Sequence, residues 1–229
     1  MNFSDKKVII FDLDGTLIDS VPDLALSINK MLTQLKRPNF SEEIIRSWVG
    51  NGAITLVRRA ILGKAESEEI IEEDFFQNAL TLFLKIYKTN LAIATYPYPF
   101  VIETLQNLSE SGYILTIVTN KPFAFIEPLL KTLKMNHFFA FSLGADSLSE
   151  KKPSPLPLLY ICEKFNITPN EAIMIGDSKN DIVSANRAKI DSVGVTYGYN
   201  YGEDINTYSP NFVVNHFNEL LPLFAKKRN

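Results

Sequence analysis

The sequence is poor in cysteine, with only Cys162 among its 229 residues. One cysteine cannot form a disulfide within the chain, and nothing else in the sequence indicates an oxidising compartment. Cys162 lies between apolar neighbours in the segment 157–165, whose helical pattern predicts a buried thiol rather than a nucleophile. A chain of this length can bury a core large enough to fold without covalent links.

The sequence also lacks a basic surplus and a long apolar run. Its formal net charge of −3 argues against a nucleic-acid-binding protein but permits a local positive pocket for an anion. No run of about 18 apolar residues is present, and the N-terminus has no signal-peptide pattern. We therefore expect a cytoplasmic protein without nucleic-acid or membrane partners, either monomer or homodimer. The tail Lys226-Lys227-Arg228 is expected to be a solvated end.

Short apolar runs that end at a small or polar residue recur along the chain, as is typical of buried parallel strands. Amphipathic helices are predicted between most of them. This alternation indicates an α/β fold with a Rossmann-like, doubly wound parallel sheet, for which we expect the strand order 3-2-1-4-5. The predicted strands are 8–11, 113–118, 138–143, 172–175 and 193–196.

The interval between the first two strands breaks this alternation. Its apolar residues, such as Leu24, Ile28 and Met31, recur at helical spacing, which predicts an all-helical insertion. Tyr96-Pro97-Tyr98-Pro99 marks the return to the sheet, because a residue before proline favours extended backbone. The predicted domains are a core of residues 1–18 and 95–229 and a helical cap of residues 19–94.

Two carboxylates, Asp12 and Asp14, directly follow the first predicted strand. In extended chain they point to the same side, and Gly15 allows a sharp turn after them. Such a pair suits a cation site, or a nucleophile with a proton-transfer partner. An ordinary Asp-Gly turn is the alternative, but the second aspartate and the preceding strand favour a chemical role.

A second acidic motif, Gly176-Asp177-Ser178-Lys179-Asn180-Asp181, follows the fourth strand. Asp177 and Asp181 share one face of the helix predicted there, and alone this pattern is that of helix capping. The first and fourth strands are neighbours where the strand order reverses, so Asp177 is expected beside Asp12 and Asp14. Carboxylates that crowd together repel one another, and oxygen ligands favour Mg²⁺ as the compensating cation.

Two further polar segments complete the predicted site. Thr119-Asn120-Lys121 ends the second strand, where a hydroxyl and an amide could bind phosphate oxygens or form a polar turn. Lys151-Lys152-Pro153-Ser154-Pro155 could aim one lysine inward or form an exposed turn. Together the motifs predict phosphoryl transfer, with one carboxylate as nucleophile and a second as proton donor and acceptor. The cation and the lysine would neutralise the phosphoryl oxygens.

In this order and spacing, the four motifs resemble those of haloacid-dehalogenase-like phosphatases. The resemblance implies that Asp12 is the nucleophile and Asp14 the general acid/base. Mg²⁺ would be held by the Asp12 side chain, the Asp14 carbonyl and Asp177. Thr119 and Lys152 would bind the phosphoryl group. The remaining motif residues are a further substrate ligand, Asn120, and the supporting residues Gly15, Thr16, Ser178 and Asp181.

Within this superfamily the chain most closely resembles bacterial phosphoglycolate phosphatases, which implies a small phosphorylated metabolite as substrate. The helical insertion resembles the cap that sets substrate choice in these enzymes. Gly50, Asn51 and Arg59 are therefore expected to contact the substrate. Arg59 could bind its carboxylate through two donors or be a solvated helix residue. The similarity is carried by 49–53, 118–122, 151–153, 176–182 and 192–203.

Other functions are left open by the sequence. Phosphatases for sugar phosphates or pyrophosphate share the core motifs, and a phosphosugar mutase or a non-catalytic binding relative is also conceivable. The presence of Asp14 and Asp177 disfavours a dehalogenase. The chain departs from the family pattern at two points, because Phe100, and Lys189 or Ile190, stand where glycine is usual.

Overall fold

The computed structural model describes residues 2–225, so the tail Lys226-Lys227-Arg228 lies outside the described residues. The described chain forms a six-stranded sheet, a two-stranded sheet and flanking helices. The strands are β1 (Val8–Phe11), β2 (Ile18–Asp19), β3 (Tyr96–Pro97), β4 (Ile114–Val118), β5 (Phe141–Leu143), β6 (Ala172–Gly176), β7 (Asp191–Val195) and β8 (Phe212–Val214). The α-helices are α1 (Val21–Gln34), α2 (Glu42–Arg46), α3 (Ala53–Leu62), α4 (Glu73–Thr89), α5 (Val101–Glu110), α6 (Ile126–Thr132), α7 (Leu156–Lys164), α8 (Lys179–Ala188) and α9 (Leu221–Phe224). Short 3₁₀ turns lie at Phe123–Phe125, Asn136–Phe138, Pro169–Glu171, Ile205–Tyr208 and Phe217–Leu220.

The six-stranded sheet is parallel throughout, in the order β5-β4-β1-β6-β7-β8. It contains the predicted order 3-2-1-4-5, to which β8 adds an unpredicted sixth strand at the edge. Strand β8 is only three residues long and its first residue, Phe212, is exposed, so its apolar pattern is too short to predict a strand. Strand β5 begins at Phe141 rather than at residue 138, because a 3₁₀ turn occupies Asn136–Phe138.

Strand β1 lies at the centre of the sheet and is fully buried, which explains its continuous apolar sequence. Successive side chains point to opposite faces. Ile9 and Phe11 join the hydrophobic cluster on one face, and Val8 and Ile10 join the cluster on the other. Both faces of the sheet are thus covered, as a doubly wound fold requires.

Helices α1 to α4 occupy the interval without predicted strands and pack around a separate hydrophobic cluster, to which Phe125 and Tyr199 also contribute. Leu24, Ile28 and Met31 are buried in this cluster, as their helical spacing predicts. The chain enters and leaves the helical part through β2 and β3, which pair antiparallel. No helix among the described residues is long and apolar enough to cross a membrane.

The register of the sheet brings three strand ends to one edge. Phe11 pairs with Ile117 of β4 and with Ile175 of β6, and the Asp12 amide donates to the Ile175 carbonyl at 2.9 Å. The residues that follow β1, β4 and β6 therefore emerge side by side, where ligands bind in open parallel sheets.

The two departures from the family pattern both have left-handed backbone. Phe100 has φ 67° at the start of α5, and Lys189 has φ 58° at the end of α8. Glycine adopts this conformation without steric cost, whereas other residues are strained in it. Of the two candidates at the second position, Lys189 therefore stands where glycine is favoured.

We expect Lys189→Gly to stabilise the protein by about 0.5–1 kcal/mol, because relief of left-handed strain outweighs the greater freedom of glycine in the unfolded chain. Urea unfolding would measure this as a higher midpoint. The matched control is Lys85→Gly in the middle of α4, which should cost about 1 kcal/mol. Destabilisation by both substitutions would contradict the assignment of strain to Lys189.

Candidate functional site

Three buried carboxylates meet at the carboxyl edge of the sheet. Oxygens of Asp12, Asp177 and Asp181 all lie within 4.8 Å of one another. Loss of hydration on burial, together with the nearby carboxylates, raises the pKa of Asp12 to about 7 against the opposing charge of Lys152. Burial and the charges of Asp181 and Asp12 also raise the pKa of Asp177 well above its ordinary value. The cluster therefore favours a compensating cation.

Lys152 is the ammonium group that contacts this cluster. It is almost fully buried, with its Nζ 3.1 Å from an oxygen of Asp12 and 2.6 Å from Asp181, and it also donates to the Val118 carbonyl at 2.5 Å. The predicted inward lysine of the Lys-Pro segment is thus Lys152, placed against the predicted nucleophile.

Hydrogen bonding distinguishes the roles of the two aspartates in the second motif. One oxygen of Asp181 pairs with Lys152, and the other accepts from the amide and hydroxyl of Ser178 at 3.0 and 2.8 Å. Each oxygen of Asp177 accepts one bond, from the Thr16 hydroxyl and from the Tyr199 amide, both at 2.7 Å. A carboxylate oxygen has two lone pairs, so Asp177 keeps acceptor capacity for a cation.

Two glycines let the backbone approach Asp177 closely. A Cβ atom at Gly15 would lie 2.3 Å from an Asp177 oxygen, and one at Gly198 would lie 2.2 Å from its Cβ. Gly15 also has φ +91°, a left-handed value. Any larger residue at either position would have to displace the Asp177 side chain.

Asp14 faces a different lysine. Both of its oxygens lie 3.0 Å from the Nζ of Lys121, and the Ser20 hydroxyl donates to one of them at 2.5 Å. Burial alone would lower the pKa of Lys121, but the negative charge of Asp14 opposes it and helps to hold the pKa above its ordinary value. The charged ammonium therefore fixes the position of Asp14.

A small cavity of about 40 Å³ lies between the strand ends and the helical part. Asp12, Asp14, Thr119 and Asn120 line it from the sheet, together with Lys121. Its other walls are mainly apolar. They comprise Leu24, Val49, Gly50, Gly52, Ala53, Leu56, Phe83, Tyr87, Pro122 and Phe125.

The loop at Gly50 contacts residues that follow the strands of the main sheet and closes one side of the cavity. The Gly50 carbonyl accepts from the side-chain amides of Asn120 and Asn180, each at 3.3 Å. The Asn51 carbonyl accepts from Lys151 at 2.7 Å, and its side chain accepts from the Tyr201 hydroxyl. Gly50 thus lines the cavity, whereas Asn51 anchors the loop and is not among the lining residues.

Arg59 is not brought to the cavity. Its guanidinium donates to the carbonyls of Trp48 at 2.6 Å and Ala65 at 2.7 Å, and it lies over the ring of Tyr201. Both bonds are to backbone of the helical part, so they leave Arg59 in a structural position in this conformation. The sequence left open whether Arg59 is a substrate ligand or a helix-surface residue, because it does not determine the direction of the side chain.

Sequence reasoning assigned no role to four residues of the site. Lys121 belongs to the Thr119-Asn120-Lys121 segment, and its position directly after a predicted strand could have placed it at the site. Tyr87 follows the buried Phe83 by one helical turn, which could have placed it on the inner face of α4. Tyr199 and Gly198 act through a backbone amide and the lack of a side chain, and such contacts have no local signature.

Known proteins share both the sequence and the fold. A family model described as haloacid dehalogenase-like hydrolase matches residues 9–195. The phosphoglycolate phosphatase of Colwellia psychrerythraea is 48% identical over 96% of this chain and 98% of the relative. That of Psychrobacter arcticus is 44% identical over 97% of each protein. The crystal structure of a predicted phosphoglycolate phosphatase from Haemophilus somnus superposes with a TM-score of 0.91, at 41% identity over 96% of this chain and 99% of that chain.

We expect Gly198→Ala to weaken divalent-cation binding by at least about tenfold, because the new methyl group must displace Asp177. Calorimetric titration with Mg²⁺ would measure the loss. Gly202→Ala in the same loop is the control: nothing lies within 4 Å of the added Cβ, so only backbone strain at φ +77° results. Equal cation affinity in both variants would refute the close approach at Asp177.

Cation affinity is also expected to fall as the pH drops below about 7, because a proton on Asp12 then competes with the cation. For one competing proton the limit is about tenfold per pH unit, and no further gain from Asp12 is expected above its pKa. Mg²⁺ titrations between about pH 5.5 and pH 8 would test this. A flat affinity below pH 7 would contradict the raised pKa of Asp12.

Proposed function

The chain belongs to the haloacid dehalogenase-like hydrolase family and is a phosphatase, and we propose that it hydrolyses 2-phosphoglycolate with Asp12 as the nucleophile. The observation that carries this proposal is the position of Asp12, buried beside Lys152 and open to the small cavity. The names of its relatives in Colwellia and Psychrobacter support the choice of substrate.

The carboxylates at the sheet edge suit Mg²⁺, because hard oxygen ligands favour it and because their mutual repulsion calls for a cation. The side chains of Asp12 and Asp177 and the carbonyl of Asp14 would hold the ion. When bound, Mg²⁺ would withdraw charge from the phosphoryl oxygens. Asp181 is less suited as a ligand, because Lys152 and Ser178 already occupy its oxygens.

In the first step an Asp12 oxygen attacks phosphorus and forms an aspartyl phosphate, while the bond from phosphorus to the glycolate oxygen breaks. Asp14 gives its proton to that leaving oxygen. In the second step Asp14 takes a proton from water, whose oxygen attacks phosphorus. Inorganic phosphate leaves and the Asp12 carboxylate is restored.

Neighbouring groups orient the phosphoryl group for this attack. Lys152 neutralises charge beside Asp12, and the Thr119 hydroxyl on the cavity wall can donate to a phosphoryl oxygen. The side-chain amide of Asn120 donates to the Gly50 and Lys152 carbonyls, so Asn120 would contact the phosphoryl group through its backbone amide. Residues 19–94 form the cap in this proposal, and closure of the cap excludes bulk water from the first step. The bonds from Asn120 and Asn180 to the Gly50 carbonyl would hold the closed position.

The cavity is small in this conformation, at about 40 Å³, so any phosphomonoester must widen it on binding. A short ester such as 2-phosphoglycolate requires less rearrangement of the helical part than a sugar phosphate does, which favours the smaller substrate.

The test is phosphate release from a panel of small phosphomonoesters. We expect 2-phosphoglycolate to be preferred, and chelation of divalent cations to abolish turnover. Asp12→Asn should lower kcat by at least about 1,000-fold, because it removes the nucleophile. The matched control Asp204→Asn, at an exposed position, should retain activity. Better turnover of another ester would refute the substrate, and an active Asp12→Asn enzyme would refute the mechanism.

A further inference from the structure

Lys121 is a buried lysine that the proposed chemistry leaves without a direct role. Lys152 is the lysine at the nucleophile, whereas Lys121 lies on the cavity wall beside Asp14. Among the described residues that line the cavity, Lys121 is the one cation. An ammonium group has three donors, so its two contacts with Asp14 leave one donor for a ligand.

Tyr87 supplies a second unused donor next to Lys121. Its side chain is 2% exposed and lines the cavity. Its hydroxyl has no hydrogen-bond partner among the described residues, and the Lys121 ammonium lies 4.8 Å from its ring centre. A buried hydroxyl without a partner is destabilising, and a ligand that accepts its hydrogen bond would remove that cost.

We propose that Lys121 and Tyr87 form the subsite that binds the carboxylate of the substrate and selects carboxylated phosphomonoesters. The proposal rests on the proposed function, and it assigns to these two residues the recognition role that the sequence had suggested for Arg59. The guanidinium of Arg59 is engaged with the Trp48 and Ala65 carbonyls.

The spacing within the substrate supports this assignment. In 2-phosphoglycolate a single carbon separates the ester oxygen from the carboxylate. Asp14 must reach the ester oxygen to protonate it, so the group that binds the carboxylate must be a neighbour of Asp14. Lys121 meets this condition, since its Nζ contacts both Asp14 oxygens.

Charge supports it as well. A substrate carboxylate in this cavity would face the carboxylate of Asp12, which repels it. The ammonium of Lys121 offsets that repulsion, and a charge-assisted hydrogen bond in a buried cavity is a strong one. An ester without the carboxylate would leave the Tyr87 hydroxyl unpaired, and it would bind more weakly for that reason.

The experiment compares 2-phosphoglycolate with ethyl phosphate, in which a methyl group replaces the carboxylate. The readout is the ratio of kcat/KM for the two esters. We expect Lys121→Met to reduce this ratio by about 10-fold to 100-fold. Tyr87→Phe should reduce it by about tenfold, mainly through KM, because the bond is made equally in the bound substrate and the transition state. Tyr87→Phe removes a single oxygen atom and keeps the test decisive if Lys121→Met fails to fold.

Two matched controls remove similar groups away from the cavity. Lys6→Met removes a buried lysine that pairs with Asp191 at 2.5 Å, and Tyr98→Phe removes another buried hydroxyl without a partner among the described residues. Both controls should keep the wild-type ratio.

The outcomes separate the subsite from the proposed function. One outcome is that Lys121→Met lowers kcat/KM equally for both esters and Tyr87→Phe leaves the ratio unchanged. This result would overturn the subsite alone and would show that Lys121 only positions Asp14. A wild-type enzyme that hydrolyses ethyl phosphate as well as 2-phosphoglycolate would overturn the proposed substrate and the subsite with it.

Discussion

An imbalance of buried charge determines the organisation of the site. Asp12, Asp177 and Asp181 are buried together, and Lys152 contacts two of them. Because Asp181 already accepts three hydrogen bonds from Lys152 and Ser178, the uncompensated charge falls mainly on Asp12 and Asp177. Burial makes this negative charge unfavourable in the free protein. It also strengthens the attraction between the carboxylates and a bound cation, since charges interact more strongly where water is excluded.

Asp14 lies outside this cluster and is held by a separate ion pair. Lys121 and Ser20 fix its carboxylate at the cavity wall, and the helical part supplies the apolar side chains opposite it. The strand ends of the sheet and the loops after them therefore carry the charged groups, whereas the helical part contributes mainly apolar walls.

The sequence predicts this protein well where a residue's role depends on local pattern. Asp12, Asp14 and Asp177 each follow a buried strand, and the apolar patterns located the five strands. The expected strand order, which is usual for doubly wound sheets, then placed the three aspartates at one edge. The edge strand β8 escaped prediction because it is only three residues long. The direction of Arg59 and the pairing of Lys121 with Asp14 depend on side chains far apart in the chain, which neither propensity nor spacing encodes.

The central place of β1 has a consequence for how the chain folds. Val8 pairs with Ile114 on one side and with Ala172 on the other, so β1 is synthesised well before the two segments with which it pairs. Helices α1 to α4 have short-range contacts and can form early, but the loops that close the sheet are long. During synthesis the apolar strand 8–11 therefore stays without its partners until most of the chain has emerged, and chaperones have their greatest opportunity to act in that interval.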